Sequence, residues 1–128
     1  MELARQDNFI NIAIKVSQLS NHKFKIGAVI SKGRRIISFG INKYKSHPKQ
    51  INPHTKQQGT SIHAELDALI RAPYPLINNS SIYIARLLRN GETGYCRPCS
   101  SCIILLKQYG IKKMIYTLEN DEIKEEYL

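Results

Sequence analysis

Two short stretches decide how this chain folds: His63-Ala64-Glu65 and, beginning 33 residues after Glu65, Pro98-Cys99-Ser100-Ser101-Cys102. One histidine and two cysteines can fill three corners of a zinc tetrahedron and leave the fourth for water. Cys99 and Cys102 are three residues apart, so on a helix they share one face. Pro98 favours the first turn of that helix, where free amide groups and the helix dipole stabilise thiolates. The two stretches therefore predict a zinc site made of His63, Cys99 and Cys102.

Glu65 has a different role from the three zinc ligands. At about 100° per residue it points roughly 200° around the helix from His63, so it does not share the imidazole's approach to the metal. A bound zinc ion lowers the pKa of a water molecule from about 15.7 to about 7. Glu65 is placed to move the proton of that water, and we predict that it is the catalytic acid and base.

The three cysteines also allow roles other than an open zinc site. Cys96, Cys99 and Cys102 begin like an iron–sulfur run, but the chain holds only three cysteines. A thioredoxin-like redox pair would leave His63 and Glu65 without a role. Cys96 is expected to be a loop thiol or a small buried side chain. If Cys96 were a fourth ligand, the zinc would be structural rather than catalytic.

Composition limits the class of protein. At 128 residues the chain has room for one domain, residues 1–128. It has no apolar run of about 18 residues, its polar and acidic first residues are not expected to form a signal peptide, and its cysteines do not resemble a disulfide framework. We therefore expect a cytoplasmic protein with no membrane contact. Residues 1–118 hold 18 basic and 5 acidic side chains, a net charge of +13, which favours anionic partners such as nucleotides or nucleic acid.

Hydrophobic periodicity and turn residues predict the order α-β-β-α-β-α-β-α. The expected elements are a helix over 2–20, a hairpin of strands over 26–30 and 34–41, a loop over 42–60, a helix over 62–72 capped by Ser61, a strand over 80–88, a loop over 89–97, a helix over 98–109, a strand over 111–117 and an acidic helix over 119–127. The crossover between residues 80 and 117 makes its two strands parallel. The fold class is α/β, a three-layer sandwich with a mixed sheet of four, possibly five, strands.

His63-Ala64-Glu65 and the Pro98–Cys102 stretch together resemble the cytidine/deoxycytidylate deaminase superfamily, and the resemblance covers most of the chain. It implies that Asn42 contacts the sugar of a substrate and that the backbone of Ala64 reads the polar edge of the base. Arg97 stands where tRNA adenosine deaminases usually carry a glutamate, which disfavours that activity. Members often form oligomers, so a homo-oligomer is expected.

The resemblance and the charge together predict an enzyme that deaminates a cytosine nucleotide, dCMP or a close relative. Basic residues of the 43–56 loop, together with Arg86 or Arg97, would then contact phosphate. The alternative substrate is a base within single-stranded DNA or RNA, including tRNA, stacked on Tyr44, Tyr74 or Tyr95. A third hypothesis is a non-catalytic binding module stabilised by zinc, which would have no use for Glu65. His22, His47 and His54 show no ligand spacing and are expected at the surface or in loops.

Overall fold

The structure is a computed structural model that describes residues 8–44 and 62–128. Residues 1–7 and 45–61 lie outside it, and with them His47, His54, the expected cap Ser61 and most of the expected phosphate loop. In chain order the elements are α1 (Asn8–Ser17), β1 (Lys25–Lys32), β2 (Arg35–Ile41), α2 (Ala64–Arg71), α3 (Tyr74–Ile77), β3 (Ser81–Leu87), β4 (Thr93–Gly94), α4 (Ser100–Gln108), β5 (Lys113–Thr117) and β6 (Ile123–Tyr127).

The strands form one mixed sheet in the order β2-β1-β3-β5-β6, with the short β4 paired to β3. β1 and β2 make the expected antiparallel hairpin around Gly33, whose φ is +63°. β3 and β5 are parallel and joined through α4, so the predicted crossover is confirmed. The predicted count of four or five strands is too low, because the described residues hold six.

The expected acidic helix over 119–127 is wrong. Residues 119–121 form one turn of 3-10 helix, and Ile123–Tyr127 continues as β6, antiparallel to β5. Acidic composition suggested a helix, whereas pairing with β5 satisfies the backbone of this segment as a strand. The expected loop over 89–97 also contains β4, which is too short to leave a pattern in the sequence.

Helices cover both faces of the sheet, so the three-layer architecture is confirmed. Successive residues of a strand point to opposite faces, and the core divides accordingly. Val29 packs with Ile10 and Ile14 of α1 on one face, while Ala28 and Ile30 face α2 and α4 on the other. Within the described ranges, no helix combines the length and the apolar content needed to cross a bilayer.

Gly40 lets α2 lie unusually close to β2. A Cβ atom at this position would come within 2.3 Å of the Ala68 amide nitrogen and 2.5 Å of the Ala64 carbonyl oxygen. Both are backbone atoms of α2, so no side-chain rotation can relieve the clash. The absence of a side chain at Gly40 therefore fixes the position of the helix that begins beside His63.

Gly40→Ala is expected to lower the free energy of unfolding by about 1–3 kcal/mol, because β2 and α2 must separate to admit a methyl group. Urea unfolding monitored by circular dichroism measures this loss. Gly94→Ala is the matched control, since its nearest obstacle is the tip of the Leu88 side chain, which can rotate. Equal losses for the two variants would contradict the inferred role of Gly40.

Candidate metal centre

Two helix N-termini converge on one point beside the sheet. His63 is the N-cap residue of α2 and Cys99 is the N-cap residue of α4, and neither side chain caps its own helix. The loop before α4 is fixed to the sheet, since the Cys96 amide donates to the Thr117 carbonyl oxygen at 3.2 Å. The positive ends of both helix dipoles therefore face the same space, where they favour anionic ligands.

His63, Cys99 and Cys102 are spaced as ligands of one metal ion. Nδ1 of His63 lies 3.3 Å from Sγ of Cys102 and 3.5 Å from Sγ of Cys99. All three ligand atoms lie within 4.8 Å of one another. Zinc bond lengths of about 2.3 Å to sulfur and 2.0–2.1 Å to nitrogen, at a tetrahedral angle, place such a pair about 3.6 Å apart. The donor set and its spacing therefore fit a zinc ion with a fourth position left open.

The electrostatics favour the thiolate form that zinc requires. The pKa of Cys99 is lowered to about 3, chiefly by the hydrogen bond that the Cys102 thiol donates, with further help from His63 and Ser101. The pKa of His63 is raised, mainly by its hydrogen bond with Cys99. Cys99 is thus an anion at neutral pH in the folded protein, ready to bind a cation.

Glu65 lies in the same cavity as His63 and Cys99 and is 5% exposed. Burial is the main cause that raises the pKa of its carboxyl, and the charge of His63 opposes this rise. A buried carboxyl with a raised pKa exchanges protons near neutral pH more readily than an exposed one. This is the environment that a proton-transfer residue needs.

Cys96 is set apart from the three ligands. Its thiol is buried against the Ile84 carbonyl oxygen at 3.4 Å and the Thr117 hydroxyl at 3.2 Å. Burial raises the pKa of the Cys96 thiol to about 11, so it stays protonated at neutral pH. Among the described residues, the ligand atoms that gather within 4.8 Å of one another belong to His63, Cys99 and Cys102 and not to Cys96.

A cavity of about 290 Å³ opens onto the metal centre. Its walls include Ala64, Glu65 and Asn42, three of the site residues predicted from the sequence. Oδ1 of Asn42 accepts hydrogen bonds from the Ser20 hydroxyl at 2.7 Å and the Ile26 amide at 3.0 Å, and its Nδ2 donates to the Phe24 carbonyl oxygen. A carboxamide has two N–H donors, and within residues 8–44 and 62–128 only one of them has a partner. Asn42 also holds the loop before β1 against the cavity.

Arg97 borders this cavity, but its guanidinium is bound to β6. Nε and Nη2 donate to the two carboxylate oxygens of Glu126 at 2.8 and 3.1 Å, and the Tyr116 hydroxyl donates to the same carboxylate. The hydrogen bond from Arg97 is the main cause that lowers the pKa of Glu126 to about 2. Since Arg97 lies two residues before Cys99, this pair connects the zinc-binding loop to the last strand.

Glu126→Gln is expected to destabilise the protein by about 1 kcal/mol at pH 7, because it replaces a bidentate ion pair by a neutral contact. The folded pKa lies below the ordinary 4.5, so the contribution is present above pH 4.5 and lost as the pH falls toward 2. Urea unfolding at several pH values measures it. The control is Glu125→Gln, which removes the more exposed pair with Lys113. An equal effect of both variants, or a constant difference from wild type down to pH 2, would contradict this role.

Three aromatic residues were candidates for base stacking, and the structure separates them. Tyr95 lines the cavity, Tyr44 stacks on His22 with ring centroids 4.1 Å apart, and Tyr74 packs against Tyr109. His22 lies in a loop, as expected, and lines the cavity. Phe24 also lines the cavity and was not predicted from the sequence, because a lone phenylalanine between two lysines carries no spacing signal.

Comparison with known proteins agrees with this geometry. No curated protein sequence matches the chain significantly. Among solved structures it is similar to a dCMP deaminase from the cyanophage S-TIM5, with 23% identity over 94% of this chain and 88% of the other, and a TM-score of 0.63. It is also similar to a cytidine deaminase from Burkholderia pseudomallei, with 16% identity over 98% and 93% and a TM-score of 0.69. Identities this low show a shared fold.

A family model gives the assignment. The model of the cytidine and deoxycytidylate deaminase zinc-binding region matches residues 3–118, which include His63, Cys99 and Cys102. Zinc is the cofactor of that region, and these three residues form the possible metal site found in the described part of the chain. Because the match spans most of the sequence, the chain belongs to the cytidine and deoxycytidylate deaminase family.

Proposed function

We propose that this chain hydrolyses the exocyclic amine of a cytosine nucleotide, dCMP or a close relative, to give the uracil nucleotide and ammonia. The observation that carries the proposal is a buried carboxylate, Glu65, in one cavity with His63 and Cys99, two of the three members of the His-Cys-Cys metal cluster. The S-TIM5 dCMP deaminase has also been solved in complex with dCMP and dUMP; it is 22% identical to this chain over 91% of it and 82% of the phage chain, with a TM-score of 0.62. That likeness supports a nucleotide substrate.

His63, Cys99 and Cys102 would hold the zinc ion, which supplies a Lewis acid that makes water acidic enough to ionise near neutral pH. Glu65 takes a proton from the attacking water and passes it to the ring nitrogen while oxygen adds to the carbon that bears the amine. The same carboxyl then returns the second proton to the leaving amine. Water and the cytosine base are consumed, and the uracil base and ammonia are formed.

The remaining predicted residues have positioning roles in this proposal. The backbone of Ala64 would read the polar edge of the base, and Asn42 would offer its free N–H to the sugar. Arg97 is engaged with Glu126, so a direct contact with substrate requires that this ion pair open. A single catalytic domain, a cytoplasmic location and a homo-oligomer stay predictions.

Ammonia release by the purified, zinc-loaded protein tests the proposal. The substrates are deoxycytidine, dCMP, dCTP, CMP, the adenine and guanine counterparts, single-stranded DNA and RNA, and tRNA. Turnover of dCMP or its close relatives that is lost in Glu65→Gln is the expected result. Zinc binding without ammonia release from any substrate would overturn it in favour of a non-catalytic module.

The second candidate function is deamination of a base within single-stranded DNA or RNA. Tyr95 is 52% exposed at the cavity wall, where a neighbouring base can stack on it. The basic surface suits a polyanion. Turnover only on polymers, with KM rising steeply with salt, would favour this candidate, because a mononucleotide displaces few counterions.

A further inference from the structure

A second cavity lies beside the one at the metal centre. It has a volume of about 690 Å³, and its walls include Lys23, Phe24, Lys25, Arg86, Leu87 and Arg89. We call it the basic groove. It lies between the loop before β1 and the end of β3, and it shares the side chains of His22 and Phe24 with the catalytic cavity. The two cavities are therefore neighbours across one pair of aromatic rings.

The cations of the basic groove have no acidic partner among the described residues, where no carboxylate forms an ion pair with Lys23, Lys25, Arg86 or Arg89. Nζ of Lys25 donates to the Ser20 carbonyl oxygen, and the charges of Lys23 and Arg86 lie 5.1 and 4.9 Å from the centre of the Phe24 ring. Four positive charges around a concave surface raise the local concentration of anions.

The size of the groove exceeds what one phosphate needs. A volume of about 690 Å³ lies within the roughly 300–1,000 Å³ of pockets that hold whole small-molecule ligands. Leu87 and the half-exposed ring of Phe24 add apolar surface beside the cations. Cationic and aromatic side chains together are the combination that binds phosphates and stacks bases of a nucleotide chain.

We propose that the basic groove binds the phosphate groups that extend beyond the first phosphate of the nucleotide whose base enters the catalytic cavity. Continuity through His22 and Phe24 indicates one ligand that spans both cavities rather than two separate ligands. The chemistry required is a chain of phosphate esters, which has two sources. One is the polyphosphate of a free nucleotide such as dCTP, and the other is the phosphodiester backbone of a single strand. This inference rests on the proposed deaminase function and specifies its substrate.

The test uses a charge-neutralised groove variant, Lys23→Gln/Arg89→Gln, whose side chains are exposed and not part of the core. The matched control is Arg34→Gln/Lys107→Gln, which removes the same two charges from exposed positions away from both cavities. The zinc-loaded full-length protein is used throughout. The measured quantity is the ratio of kcat/KM for dCTP, or for a short deoxycytidine oligonucleotide, to kcat/KM for dCMP.

The groove variant is expected to lower at least one of these ratios about tenfold or more, since each lost charge-assisted contact costs about 1.5–3 kcal/mol, while the control leaves both ratios within about twofold. If only the ratio for dCTP falls, the groove binds the polyphosphate of a free nucleotide. If only the ratio for the oligonucleotide falls, it binds the phosphodiester backbone of a single strand. Equal behaviour of groove variant and control on both substrates overturns the proposal.

A binding readout separates this proposal from the deaminase function. Fluorescence anisotropy of labelled dCTP and of a labelled oligonucleotide is measured with Glu65→Gln protein, with and without the groove substitutions. Binding lost with the groove substitutions supports the groove even if no substrate is turned over. If the groove substitutions leave binding unchanged while the protein with Glu65 in place deaminates its substrate, the groove proposal is wrong and the proposed deaminase function is unaffected.

Discussion

Glu65→Gln is expected to reduce kcat by at least about 10³-fold, because general acid–base catalysis contributes about 10²–10⁴-fold and this carboxyl serves every proton transfer of the proposed reaction. Glutamine keeps the size of the side chain and leaves His63, Cys99 and Cys102 in place, so zinc content stays near one ion per chain. Steady-state ammonia release and metal analysis of the same preparation measure the two quantities.

Asp67→Asn is the control for this variant. Asp67 is a second buried carboxylate of α2, but it accepts hydrogen bonds from the Ile41 amide at 3.0 Å and pairs with Lys43 and Arg71. The free energy of unfolding of the Asp67→Asn variant should be about 1–3 kcal/mol lower than that of the wild type, because Lys43 and Arg71 lose the charge with which they pair. Urea unfolding measures this loss. The kcat of this variant should remain within about tenfold of wild type. A comparable loss of kcat in both variants would contradict the assignment of Glu65.

Cys99→Ala is expected to weaken zinc binding by more than about 100-fold, since loss of an outer partner of a ligand already costs 10–100-fold and this change removes the ligand itself. The variant should behave as the metal-free wild type. A chelator will lower the Tm of the wild type, since zinc stabilises the state that it binds, but will leave the Tm of the variant unchanged. Competition with a chromophoric chelator gives the affinity.

Cys96→Ala is the matched control for the zinc site, because this thiol belongs to the same loop and is bound to Ile84 and Thr117 instead. Its zinc affinity should stay within about tenfold of wild type, although the small cavity costs some stability. Equal loss of zinc in the Cys96 and Cys99 variants would contradict the three-residue site and indicate a closed, structural centre.

The sequence predicted the parts of the site that depend on local spacing. His63 and Glu65 are two residues apart, and Cys99 and Cys102 are three apart, so each pair was expected at the start of one helix. Each pair does lie there, although His63 and Cys99 are N-cap residues with extended backbone and so precede the helical register. The crossover between β3 and β5 was equally predictable, because its handedness and parallel pairing follow general rules. The structure adds that the two helix starts meet, which spacing within either stretch does not show.

The sequence did not predict the contacts that join distant segments. Glu126 reaches Arg97 from a strand that acidic composition had suggested was a helix, and only pairing with β5 makes that segment extended. Phe24 and Arg86 are brought together because Lys25 and Leu87 are partners in neighbouring strands. Register between strands decides such contacts, and strand register has no signal in a single residue pattern.

The Arg97–Glu126 pair has a consequence for how the protein is made. His63 is synthesised before Cys99, and the strand that carries Glu126 is synthesised after both of them. The ion pair with Arg97 can therefore form only after residue 126 has been synthesised and β6 has paired with β5. Until then, the loop that carries Cys99 lacks this connection to the sheet.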